Sequence, residues 1–180
     1  DAQITNKFIY ESAQLVKNAI VLFEKGYFDC TYYSLRQSLE LSTTMIYLIE
    51  LDPMERKKKI EKWMKKDKFP IFSQMIRFLN KDGNAFPDIR KKMDNYFNKL
   101  ENIKSKLNKY VHKQGFDTFY TVRNDSNDEE KIKNEFINYM KNCIGAIAVL
   151  RLAIDPLPIL LMNEEIYRRT WETVTSAYTE

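Results

Sequence analysis

The single histidine of this chain is the residue best suited to acid–base chemistry near neutral pH. His112 lies in the segment NKYVHKQG, residues 108–115. An imidazole takes up and releases a proton near neutral pH, so it could serve as a general base or a general acid. Asn108 precedes it by four residues and Lys106 by six, adding an amide and a positive charge. These three residues form the candidate catalytic set.

The same histidine also has a purely structural interpretation. Apolar residues recur at a 4-3-4-3 spacing from Ile89 to Tyr110, which predicts a long helix ending near Lys113. At roughly 100° per residue, His112 points about 140° away from the centre of that apolar stripe. A histidine in the last turn of a helix is stabilised by the helix dipole without any catalytic role. Both interpretations stay open.

Six basic residues are candidates for binding phosphate or RNA: Lys109, Lys113, Arg36, Lys57, Lys58 and Lys62. The last three belong to a basic amphipathic segment, MERKKKIEKWMKKDKF, whose lysines could also meet an anionic membrane surface, with Trp63 at the boundary. The alternative is a solvated lysine face whose apolar residues pack on the rest of the protein. Aromatic residues at 116–120 could stack on bases or could fill a gap in the core.

The composition predicts an all-α fold. The chain has 180 residues, of which only 4 are Gly and 5 are Pro, so few turns are expected. We predict a bundle of four to five long helices with a C-terminal helical tail. The bundle would span residues 1–155, and residues 156–180 would form an extension packed on the bundle or on a partner. A net charge of +4 permits an acidic partner.

Turn and cap residues divide the chain into helices. Gly26 ends a first helix and Asp52-Pro53 starts a third, so a second helix lies between them. A short helical segment follows Pro70, and further helices are predicted at residues 88–113 and 128–154, with a loop at 81–88. Because the connection at Gly26 is very short, the first two helices should form an antiparallel hairpin.

Metal and cofactor sites are not expected. One histidine and two separated cysteines, Cys30 and Cys143, fit no metal-binding spacing, and no glycine-rich phosphate loop is present. Both cysteines fall in apolar helical patterns and are predicted to be buried thiols of a cytoplasmic protein. The most apolar stretch, residues 144–162, contains Arg151, Asp155 and two prolines, so no membrane span is expected.

The chain resembles the HEPN family (higher eukaryotes and prokaryotes nucleotide-binding domains). The resemblance lies in the helix ending KLNKYVH and in the opening hairpin with GYFDCTYYSLRQSLE. Many HEPN domains are metal-independent ribonucleases that carry an arginine four to six residues before the histidine, and two such motifs meet in a homodimer. Here Lys106, Leu107 and Asn108 occupy the positions where the arginine would stand.

The resemblance therefore implies a dimeric helical module without ribonuclease activity that binds RNA, a nucleotide or a protein partner. Its setting would be a bacterial toxin–antitoxin or phage-defence system, and the C-terminal tail could contact the protein partner. A first alternative is an active endoribonuclease that uses His112. A second alternative is a structural helical adaptor with no nucleic acid involved.

Overall fold

The computed structural model describes residues 2–80, 96–119, 122, 129–154 and 163–178, and it confirms the all-α prediction. Within these residues there are seven α-helices and no strand. The helices are α1 (Ala2–Glu24), α2 (Phe28–Glu50), α3 (Pro53–Met64), α4 (Phe72–Leu79), α5 (Tyr96–Val111), α6 (Glu129–Ile154) and α7 (Glu164–Tyr178), with a 3-10 turn at Phe116–Thr118. The predicted loop at 81–88 and the predicted starts at Asp88 and Asp128 lie outside the described residues.

Helix α2 occupies the centre of the bundle. It packs against α1, α5 and α6 and also contacts the shorter α3 and α4. The apolar stripe predicted for it is buried at Tyr32, Leu35, Leu39 and Ile46. Several small hydroxyl residues of α2 are buried as well, and their hydroxyls donate to backbone carbonyls: Ser38 to Ser12 at 2.9 Å and Thr43 to Leu39 at 2.9 Å. Small side chains of this kind let α1 and α2 approach closely while leaving these hydroxyls satisfied.

The helix ends follow the turn chemistry of the sequence. Gly26 adopts φ 80°, and the amide of Tyr27 donates to the carbonyl of Leu22 at 2.8 Å, which closes α1 and starts the predicted hairpin. Asp52 caps α3 by accepting from the amides of Met54 and Glu55, each at 3.1 Å. Both predicted helix boundaries are confirmed.

Arg56 ties α3 to the end of α2. Its guanidinium donates to the carbonyls of Leu48 at 2.9 Å, Ile49 at 2.6 Å and Leu51 at 3.0 Å. Carbonyls in the last turn of a helix have no partner within the helix, so one arginine satisfies three of them. Its position also fixes where the basic segment begins: at the C-terminal end of α2.

Helix α6 is the one described helix that is long and apolar enough to cross a membrane by length and composition. It is nevertheless a core helix. Phe136 stacks on Phe23 of α1 at 4.1 Å between ring centroids, and Cys143 donates to the carbonyl of Leu35 at 3.4 Å. Helix α7 packs on the outside of α6, and Val174 of α7 reaches the core.

The prediction that both cysteines are buried is correct for Cys143 and wrong for Cys30, which is exposed. The helix geometry explains the difference. At 100° per residue, Cys30 lies roughly 150° from the centre of the apolar stripe of α2, so it points to solvent despite its apolar neighbours in the sequence. Cys143 lies within the buried stripe of α6.

Candidate functional site

His112 is exposed immediately after α5, at the point where that helix ends. Its backbone amide donates to the carbonyl of Asn108 at 2.9 Å, and Lys113 follows in the left-handed region with φ 53°. The amide of Gln114 then donates to the carbonyl of Lys109 at 2.9 Å, which completes a Schellman closure. The histidine is thus the C-cap of α5, and the expectation that it points away from the core is confirmed.

Polar contacts join α2 and α5 along a line that we call the α2–α5 seam. It comprises Asp29, Tyr33, Arg36 and Glu40 of α2 with Lys104, Asn108, Val111 and Lys113 at and after α5. Lys113 forms an ion pair with Asp29, and the hydroxyl of Tyr33 donates to the carbonyl of Val111 at 3.0 Å. Glu40 pairs with Lys104 at 2.8 Å. Residue numbers rise along α2 as they fall along α5, so the helices are antiparallel and Arg36 lies at the level of Asn108.

Glu40 holds two cations of the seam. Arg36 and Glu40 form an i,i+4 pair within α2 at 3.3 Å, and Lys104 adds a second contact to the same carboxylate oxygen. The Lys104 ammonium also lies 4.6 Å from the ring centroid of Phe72, a cation–π contact. Arg36, Lys104 and Glu40 together carry one net positive charge. The one arginine among them, Arg36, already forms an ion pair with Glu40.

Among the described residues, three buried polar atoms of the seam have no hydrogen-bond partner. They are the Nε of Arg36, a donor, and the Oδ1 atoms of Asn108 and Asp29, both acceptors. The antiparallel register places Arg36 and Asn108 at one level of the seam. A polar ligand that reached these atoms would break no existing hydrogen bond of theirs.

Exposed aromatic side chains surround the His112 end of the bundle. Phe116 is 78% exposed, and its ring meets that of Phe119 edge-on with centroids 5.4 Å apart. Tyr27 and Tyr33, at the start of α2, are exposed as well. The proposal that the loop aromatics fill a gap in the core is therefore wrong for Phe116 and Phe119.

The short turn that carries these rings is anchored to the seam. The Nζ of Lys113 donates to the carbonyl of Thr118 at 3.4 Å, and the buried hydroxyl of Thr118 donates to the carbonyl of Gly115 at 2.7 Å. Gly115 has φ 97°, and a Cβ there would lie 2.5 Å from a carboxylate oxygen of Asp117. Glycine is thus required for the turn that presents Phe116 beside His112.

The predicted phosphate-binding lysines fall into two separate places. Lys109 lies three residues before His112 and is exposed, as is Lys106, and neither forms an ion pair with a carboxylate in the described part of the chain. Lys113 is held by Asp29. Lys57, Lys58 and Lys62 lie on α3, which follows the C-terminal end of α2, whereas His112 lies beside its N-terminal end.

The α3 segment is largely a solvated basic helix. Lys57, Lys58 and Lys62 are exposed, and Lys58 pairs with Glu55 at 3.1 Å. Its apolar side is used only in part: Ile60 is buried and the ring of Trp63 lies 4.9 Å from that of Phe8, whereas Met54 and Met64 are exposed. The packing of Ile60 and Trp63 agrees with the solvated-face interpretation.

Two functional features were not found from the sequence. Lys104 was not singled out, although it precedes Asn108 and His112 at the same four-residue spacing, which a search for polar stripes would detect. Tyr27 and Tyr33 were also missed. At 100° per residue, Tyr33 lies roughly 150° from the centre of the apolar stripe of α2, so the periodicity of that helix would have placed it on the surface.

No group of three or more potential metal ligands occurs among residues 2–80, 96–119, 129–154 and 163–178. Comparison with known proteins provides no assignment: no family model matches the chain, and no curated protein or solved structure matches it.

Proposed function

We propose that this protein is an RNA-binding helical module whose site is the His112 end of the bundle. The observation that carries the proposal is the exposed pair Phe116 and Phe119, which follows Lys109 by seven and ten residues, Lys109 being exposed and without an ion pair among the described residues. Aromatic rings bind unstacked bases of any sequence, and lysines bind the phosphates between them. Single-stranded RNA supplies both groups, so it is the ligand that this surface fits best.

Binding would proceed without cleavage. An RNA-cleaving site must stabilise the negative charge that develops on the phosphate, which an arginine does well through its planar pair of donors. α5 has no arginine at the family's position, and Arg36 of the seam is engaged by Glu40. The HEPN resemblance suggests a homodimer in a bacterial toxin–antitoxin or phage-defence setting.

Endoribonuclease activity is the second candidate, because His112 is exposed and Arg36 lies at the level of Asn108. One histidine would take the proton of the 2′-hydroxyl as that oxygen attacks phosphorus. A second histidine, from another copy, would donate a proton to the departing 5′-oxygen. Each chain has a single histidine, so this chemistry requires two copies with their His112 side chains together. A structural adaptor would bind no RNA at all.

The test measures binding of a labelled single-stranded RNA by fluorescence anisotropy. Phe116→Ala removes a stacking ring, and we expect binding about 5- to 150-fold weaker, from roughly 1–3 kcal/mol per stacked base. Met54→Ala, a similarly exposed apolar residue on α3, should bind like the unsubstituted protein. Lys109→Gln should lower the dependence of log K on log salt by about 0.7, the value for one phosphate contact on single strands.

The same RNA incubated in EDTA separates the enzyme from the binding module. Cleavage that disappears in His112→Ala would establish the nuclease and refute the non-cleaving proposal. Intact RNA together with weaker binding by Phe116→Ala supports the binding module. No binding at low salt, or equal binding by Phe116→Ala and the unsubstituted protein, would refute this site.

A further inference from the structure

An apolar groove lies between the N-terminal half of α1 and the end of α3. It has a volume of about 720 Å³, and Phe8, which is only 4% exposed, forms part of its floor. Tyr10 and Met64 line it and remain 75% and 66% exposed. Exposed apolar surface of this extent around a concave floor is typical of a binding surface for another protein.

The dimensions of the groove suit a helix. Its lining runs along α1 from Ile4 to Lys17, which corresponds to about 20 Å at a rise of 1.5 Å per residue. That length accommodates three to four turns of an incoming helix. Helix-in-groove recognition uses apolar residues at four-residue spacing, so the occupant should carry such a pair on its free side.

Helix α7 has these properties. Its 15 residues extend for about 22 Å, and Tyr167 and Trp171 are exposed one turn apart, Trp171 by 61%. Among the described residues, the C-terminal part of its apolar face is the part that reaches the core, through Val174. The chain thus carries both an open apolar groove and an uncovered apolar helix face of matching length.

The charges on the two surfaces are complementary. The groove is lined in order by Lys7, Glu11 and Lys17, a positive–negative–positive series. Beside Tyr167 and Trp171, α7 presents Glu164, Arg168 and Glu172, a negative–positive–negative series at four-residue spacing. Arg168 pairs with Glu172 at 2.6 Å and with Glu165 at 2.9 Å, and all three side chains are about half exposed, so they can exchange partners at little cost. Complementary series of this kind favour association and select the register.

We infer that α7 of one copy binds in the α1–α3 groove of a second copy, and that the exchange is reciprocal in a twofold dimer. Two such contacts close the assembly, whereas a single one would leave an open groove for the next molecule. The groove reaches Leu41 of α2, about 12–18 Å along that helix from the seam residues Asp29 and Tyr33. Dimerisation would therefore leave the proposed RNA site uncovered.

Analytical ultracentrifugation of the whole chain over a concentration series tests the inference. Trp171→Arg and Tyr10→Arg each place a charge at the centre of the contact. Both side chains are exposed, so the circular dichroism spectrum and the Tm of the monomer, measured below the Kd of dimerisation, should not change. We expect each substituted contact to weaken association about 30-fold. A dimer of two identical variant chains contains the substitution in both contacts, so its Kd should rise about 1,000-fold. Val21→Arg, exposed on α1 outside the groove, is the matched control and should dimerise normally.

Mixing the two variants makes the test specific. A Tyr10→Arg chain retains its α7 face, and a Trp171→Arg chain retains its groove, so the mixture regains one intact contact. The mixture should associate more tightly than either variant alone, by about 30-fold. A chain that stays monomeric up to about 1 mM, a dimer insensitive to both substitutions, or a mixture that recovers nothing would each overturn the inference. RNA binding is measured separately, so neither proposal depends on the other.

Discussion

Glu40→Gln should strengthen RNA binding while it weakens the fold. Glu40 neutralises Arg36 at 3.3 Å and Lys104 at 2.8 Å, so the substitution raises the net charge of the seam from +1 to +2. A freed guanidinium or ammonium can bind one more phosphate. We expect the slope of log K against log salt to become steeper by about 0.7, the value for one added contact on a single strand.

The cost to stability follows from the burial of the partners. The Lys104 side chain is only 14% exposed and that of Glu40 is 33% exposed, so their ion pair is partly shielded, whereas the i,i+4 pair with Arg36 contributes a few tenths of a kcal/mol. Together the loss should be about 1–2 kcal/mol, or a Tm lower by about 2–8 °C for a chain of this size.

Anisotropy at several salt concentrations and thermal unfolding followed by circular dichroism measure both effects. Glu61→Gln is the matched control, because it removes one carboxylate from an exposed position on α3 and changes the net charge equally. The reasoning is refuted if Glu40→Gln binds RNA no better than the unsubstituted protein. If Glu61→Gln alone strengthens binding, the RNA lies on α3 and not on the seam.

Two further predictions concern buried titratable groups. Burial raises the pKa of Cys143 to about 12, while Cys30 is exposed. A thiol reagent at neutral pH should therefore label Cys30 quickly in the folded protein and both cysteines after denaturation. Equal labelling rates for the two cysteines in the folded protein would contradict the packing of α6. Burial raises the pKa of Tyr96, and burial together with the Glu135 carboxylate raises that of Tyr139, so the fold favours both neutral phenols. The stability that these two neutral phenols contribute is complete below the ordinary tyrosine pKa of about 10 and is lost progressively above it. The free energy of unfolding should therefore fall between pH 9 and 11, and it should fall less steeply in Tyr139→Phe.

The sequence predicts most of the fold because its helices are marked locally. Gly26 and the Asp52-Pro53 pair define boundaries through the conformations available to single residues, and the stripe of α2 follows from a repeat within one helix. These features need no knowledge of the neighbouring helices. The wrong prediction for Cys30 also concerned a local feature. Its residue type suggested burial, whereas its angular position on α2, which can be read from the sequence, places it on the exposed side.

Only part of the candidate site could be predicted from the sequence, because its hydrogen bonds and ion pairs join residues of two different helices. His112 could be placed on the surface from the periodicity of α5 alone. Its relation to Asp29, Tyr33 and Glu40 could not, since these residues precede it by 72 to 83 positions and no local pattern records which helices become neighbours. The register of α2 against α5 is set by packing of the whole core, including the stacked rings of Tyr32 and Tyr110 at 4.5 Å.

The distribution of charge partners explains why we favour binding over catalysis. Lys113 and Arg36 would be the natural phosphate contacts near His112, yet Asp29 and Glu40 neutralise them within the fold. A cleaving site would need at least one of these cations free and directed at the phosphate, because charge stabilisation is the larger part of such catalysis. The rings of Phe116 and Phe119 lie exposed at the same end of the bundle. A surface whose Lys113 and Arg36 are neutralised, while Lys109 and the aromatic rings are exposed, is suited to bind the phosphates and bases of RNA without cleaving its backbone.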